Sequence, residues 1–269
     1  MDIVKRNFIS LLRSGAFDDP CPAEPMSDYK WRQLLLIALA QDCGWAILNG
    51  IENDAGHNMP LNIISEFKDS ISIESAPGHF PDFGASNFNT PFLRRKLDGI
   101  RQGEIHAIDT SVETLRLLNI IVYSTQNIFS RGFSIGYAAF IGNYLREQGD
   151  KVDFVKLDSW LHALHSGRMA QFLGSVLIMM FNFEKDEIPF VSEIEGSALK
   201  TAEMSLNGKH AETYEEWHCW QDKSGIVHNN SKAFFQTLKR CADFFVYAPL
   251  EAAGYFAKTL VSGISEIEE

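Results

Sequence analysis

The chain has 269 residues, 45% hydrophobic and 22% charged, with a mean hydropathy of −0.11. That composition belongs to a globular protein with material for a full core, and it excludes wholesale disorder and a disulfide-dense miniature fold. The 24 Lys+Arg against 35 Asp+Glu leave a net charge of −11, which repels a polyanion and excludes nonspecific nucleic-acid binding.

Residues 2–14 carry Ile3, Val4, Phe8, Ile9, Leu11 and Leu12 at helical spacing, and the pattern predicts a helix that Gly15 ends. Lys5, Arg6 and Arg13 interrupt the apolar residues, so the stretch lacks the continuous apolar region of a secretory signal. Pro20, Pro22 and Pro25 make a connector, and Ser27 is a candidate N-cap. Residues 28–51 then give the longest helical pattern of the first third, centred on Trp31, Leu34, Leu35, Ala38 and Trp45, and 60–68 predict a third helix.

Residues 71–75 (ISIES) alternate like a short strand, and 76–90 are rich in Gly, Pro, Asn and Phe, which is loop chemistry. Asn89 and Pro91 suit the cap and first turn of a helix over 91–101. Residues 104–109 (EIHAID) alternate again and form the second strand candidate. Helical patterns follow over 111–129, 133–148, 154–165, 168–183, 192–205, 230–246 and 249–262, with Gly132, Gly149 and Gly167 at breaks. The apolar run at 172–183 is too short to span a bilayer and reads as a buried core helix. The polar stretch 208–230 receives no element.

Two strand candidates among about ten helices lack the alternation of a doubly wound sheet. The fold class is therefore mainly α, a multi-helix bundle with at most a small two-stranded β element. Along the chain this divides into an N-terminal helical segment (1–70), a loop-rich segment with short strands (71–110) and a C-terminal helical domain (111–269), forming one compact unit. Cys21, Cys43, Cys219 and Cys241 are scattered without a C-x-x-C spacing. Reduced thiols in a cytoplasmic protein are the expectation, with no membrane and no nucleic acid as partner.

Gly132-Phe-Ser134-Ile-Gly136 fits G-x-S-x-G, the turn that lifts a nucleophilic serine from a strand onto a helix in α/β-hydrolases, and Asp222 and His228 follow in the required chain order. The competing reading is a break between helices, because no buried β run precedes the motif. His162 and His165 are three apart on a helical pattern and share a face, without the further ligands of a zinc site. Trp217-His218-Cys219-Trp220 reads as a packed loop anchor, and Glu266, Glu268 and Glu269 as a solvated end.

The order of several segments resembles an uncharacterised nucleotidyltransferase family of gut-type Bacteroidetes. Phe8 to Gly15 (FISLLRSG) is similar to its F-x-x-L-L-R-x-G helix, and Trp31 through Gln41 to Glu52 to its next helix pair. Phe129 to Tyr137 is similar to its G-I-G-L-R turn, and Val152-Asp153-Phe154 with Leu157, Trp160 and Leu161 to its I-D-W helix start. Glu187 to Phe190 resembles its E-x-P-F exit, and Leu238 to Pro249 its closing helices. The resemblance implies a bacterial protein with a remnant of a polymerase-β-like fold, whose Gly-Ser turn and Asp-x-Asp pair hold two metal ions for nucleotidyl transfer.

This sequence lacks that pair: among its sixteen aspartates no two are spaced by two. Its Gly196-Ser197 pair lies in the helical second half. The strand candidate at 71–75 matches at best the last strand of the family's core, which puts Glu74 at the third carboxylate position. The family's arginine and later aspartate fall on Gly136 and Phe140. The expectation is thus a nucleotidyltransferase-like pseudoenzyme without catalysis or cofactor, a binding or regulatory module for an unidentified protein or small-molecule partner, with a link to surface polysaccharide implied by the resemblance. Two alternatives stand beside it. One is a divergent Mg²⁺-dependent transferase using Glu74, Glu104 and Asp109; the other is a serine hydrolase using Ser134.

Overall fold

A computed structural model of the chain describes residues 2–19, 21–54, 59–70, 81–107, 111–207, 219–221 and 227–265. Helices dominate the described residues: α1 (Ile3–Phe17), α2 (Asp28–Ala40), α3 (Gly44–Asn53), α4 (Leu61–Ser70), α5 (Pro91–Ile105), α6 (Val112–Arg131), α7 (Ile135–Gln148), α8 (Phe154–Ala163), α9 (Gly167–Phe181), α10 (Gly196–Asn207), α11 (Ser231–Phe244) and α12 (Pro249–Ser265). The protein is mainly α. Its β structure among the described residues is one antiparallel pair, β1 (Cys219–Gln221) with β2 (Val227–Asn229), in register Cys219 with Asn229.

The pair lies in the stretch that received no element from the sequence. Of the two expected strands, 71–75 falls outside the described residues. The other is corrected: Glu104 and Ile105 are the last residues of α5, not the start of a strand. Alternation over a few residues is weak against a helix already propagating from Pro91. Its signal was also misleading, since Ile105 is 74% exposed while Glu104 is the buried member.

The described residues group into two compact units that interleave along the chain. The first comprises residues up to Gly84, Ser134–Val152 and Gln171–Ala211, and so holds α1 to α4, α7, most of α9, and α10. Its centre is the α1–α3 pair. Gly15 does not end α1 but lies inside it, and its lack of a side chain serves packing, since a Cβ there would stand 1.8 Å from the Ala46 carbonyl oxygen. Gly50 faces α1 in the same way, with a virtual Cβ 2.1 Å from the Leu11 oxygen. These two glycines let the backbones touch. The expected helix over 28–51 is also corrected to two, α2 and α3, separated at Gln41 to Cys43. Asp42 takes the left-handed conformation (φ 49), and the Cys43 N–H returns to the Ala38 carbonyl at 2.9 Å, which closes a helix C-terminus.

The second unit comprises Ala85–Phe133, Asp153–Ala170 and Glu212 onward, and packs α5, α8, α11 and α12 around α6. Leu117, Leu118 and Ile121 of α6 are fully buried, giving it the apolar face that the 111–129 pattern predicts. Arg101 of α5 donates to the Asn119 side chain of α6 and to the Ser86 carbonyl, each at 2.7 Å. Among the described residues no helix is long and apolar enough to cross a membrane.

Candidate functional site

Ser134 sits where the motif places it, at the N-terminus of α7, but it follows a helix rather than a strand. It is 4% exposed. Its Oγ donates to the Gln41 carbonyl at 2.6 Å and accepts from the Gly136 N–H at 3.1 Å, so it serves as the N-cap of α7. Gln41 completes the arrangement. Its side-chain Oε1 accepts from the Ile135 N–H at 2.9 Å, and its backbone oxygen also takes the Gly136 N–H at 3.0 Å. The turn after α2 therefore satisfies the free donors at the start of α7. A nucleophilic serine needs a base within hydrogen-bond reach; this hydroxyl donates its hydrogen bond to a peptide carbonyl, which is not a base. Asp222 lies outside the described residues, and β2 carries His228.

Glu104 also has an occupied carboxylate. It accepts from Lys156 Nζ at 2.7 Å and from the Ser111 N–H at 2.9 Å, with its side chain 10% exposed. Burial alone raises its pKa, but the Lys156 hydrogen bond, the Ser111 N–H and the ammonium charge outweigh that and hold it below the usual carboxylate range. Its two expected companions, Glu74 and Asp109, lie outside the described residues. His162 and His165 are exposed at the end of α8. Among the described residues no three His, Cys, Asp or Glu side chains gather as a metal site.

Gly136 and Phe140 are both buried on α7. A Cβ on Gly136 would come within 2.5 Å of the Gln41 oxygen. Phe140 stacks on Trp45 with centroids 5.9 Å apart and meets Phe83 edge-on at 5.4 Å. This face is filled by aromatic packing.

A feature invisible in the sequence lies elsewhere in the first unit. A cavity of ≈ 220 Å³ is walled by Leu11, Trp31, Ile51, Met59 and Ile64, with Leu61 and the half-exposed Glu52–Lys68 ion pair (3.1 Å) also lining it. Trp31 is 1% exposed, and its indole N–H has no hydrogen-bond partner among the described residues. Sequence periodicity marks Trp31 as a core residue, yet carries no signal for a gap beside it or for an unsatisfied donor.

No protein family, no curated protein and no solved structure matches this chain.

Proposed function

We propose that the chain is a helical binding or regulatory module without chemistry of its own, nucleotidyltransferase-like in ancestry and housed in a bacterial cytoplasm. What supports the non-catalytic part is one observation: the described residues on which the two catalytic alternatives depend are committed to the fold. Ser134 Oγ caps α7 and donates to Gln41, and the Glu104 carboxylate holds Lys156 and the Ser111 N–H. A catalytic group tied up in this way would have to abandon a buried hydrogen bond before reacting, at about 1–3 kcal/mol for each partner left unsatisfied. The cytoplasmic setting is supported by Cys21, Cys43 and Cys241, which are free thiols.

Two measurements on the full chain test the reading. A fluorophosphonate should leave Ser134 unlabelled, and calorimetry with ATP, CTP, GTP and UTP should give no heat with or without Mg²⁺. Covalent labelling of Ser134 would establish the hydrolase instead, and micromolar, Mg²⁺-dependent nucleotide binding would establish the transferase.

A further inference from the structure

The cavity in the first unit joins two anomalies at one place. Well-packed interiors leave few voids larger than a water molecule, and buried polar groups nearly always find partners. Here a gap of ≈ 220 Å³ borders Trp31, whose indole N–H is buried and, among the described residues, unpaired. Leaving such a donor unsatisfied forfeits its hydration without a replacement hydrogen bond. Apart from Trp31, the uncharged walls are the flexible apolar side chains of Leu11, Ile51, Met59, Leu61 and Ile64, the first three of them buried. Charge is confined to Glu52, Asp54 and Lys68, and Leu61, 84% exposed, marks the outer side.

We propose that this cavity binds a small, uncharged, mostly hydrocarbon molecule that carries one carbonyl oxygen, and that this oxygen accepts the Trp31 indole N–H. The proposal deepens the binding-module reading and rests on it. The hydrocarbon body packs against the apolar walls, where its transfer from water is favourable. The carbonyl supplies the partner that the N–H lacks. A charged ligand is disfavoured because its ion would leave water for walls whose buried members, Leu11, Trp31, Ile51 and Met59, are uncharged. Water does not reach the indole nitrogen, so binding includes a shift of the wall. Met59 is the side chain suited to give way, being unbranched and conformationally adaptable.

Proton–nitrogen NMR on the full chain tests this with acetophenone and with α-methylstyrene, which has the same shape but a methylene in place of the oxygen. Acetophenone should bind saturably and move the Trp31 indole proton downfield. α-Methylstyrene should bind roughly fivefold more weakly, the loss of one hydrogen bond, without that shift. Leu61→Trp, a change at an exposed position, should leave the melting temperature unaltered and abolish binding of both. Absence of saturable binding, equal affinity for the two probes, or undiminished binding by Leu61→Trp would each overturn the proposal. None of these outcomes bears on Ser134 labelling or nucleotide heats, so the broader reading stands or falls separately.

Discussion

The Glu251 carboxylate, from the first turn of α12, closes the N-terminus of α5 by accepting from the Asn89 N–H at 2.7 Å and the Thr90 N–H at 3.1 Å. It also takes the Asn89 side-chain amide at 2.8 Å, and the whole residue is 1% exposed. A negative charge at two helix N-termini meets both macrodipoles favourably. Glu251→Ala leaves three part-buried donors without this acceptor and should cost about 3 kcal/mol, whereas Glu251→Gln, which keeps one oxygen, should cost about 1–2 kcal/mol. Urea unfolding of the parent and both variants measures the difference.

Glycine-to-alanine changes should split by position. In an exposed helix alanine is favoured over glycine by roughly 1 kcal/mol. Gly99 and Gly103 lie in α5 with nothing within 4 Å of a virtual Cβ, so each alanine there should stabilise by about 0.4–1 kcal/mol. Gly15 and Gly50 should do the opposite, since their virtual Cβ atoms meet backbone at 1.8 and 2.1 Å. Forcing α1 and α3 apart should cost about 1–3 kcal/mol or more, as overpacking does. Thermal melts of the four single variants decide it, and a stabilising Gly15→Ala would show that the two backbones do not touch.

Glu104 gives an acid-side dependence with a definite sign. Its folded pKa lies below the ordinary carboxylate value, so the group adds stability that is fully present above that value and lost as pH falls through the folded pKa. Glu104→Gln should therefore melt below the parent at neutral pH and close on it under acid conditions, below roughly pH 4. Melting temperatures across that range check the convergence. A constant gap would mean that the Lys156 pair contributes nothing through charge.

The helical segments were legible because their signals are local. Leu117, Leu118 and Ile121 announce the buried face of α6 by spacing alone, and Pro91 marks the start of α5. What spacing misreads is any residue whose role is set by a distant segment. Gly15 looks like a helix stop, and only Ala46 makes it a contact point. Ser134 looks like a nucleophile because G-x-S-x-G describes a turn and not what surrounds it; Gln41, ninety-three positions away, determines that it caps. Glu104 looks like a strand residue until Lys156 shows why it is buried inside a helix end. The cavity beside Trp31 is the extreme case, a property of how four helices fail to fill a volume.

Phe140 carries the sharpest consequence of the aromatic filling on α7. It is 6% exposed, stacked against Trp45 with their rings 10° from parallel and held at an edge by Phe83. Aromatic pairs of this kind add about 0.5–1.5 kcal/mol beyond area burial. Phe140→Ala removes both partners and leaves a void that the rigid Trp45 ring cannot collapse into, so it should destabilise by about 3–5 kcal/mol. Phe140→Leu keeps most of the volume and loses the stacking, so its cost should be about 1–2 kcal/mol. Phe140→Asp would place a carboxylate between Trp45 and Phe83, where neither ring offers a counter-charge, and should be worse than alanine. Chemical denaturation of the three variants should therefore rank them Leu, Ala, Asp in falling stability. If Asp instead equals the parent, the ring is not part of the core and the face of α7 that bears it is open to solvent or to a partner.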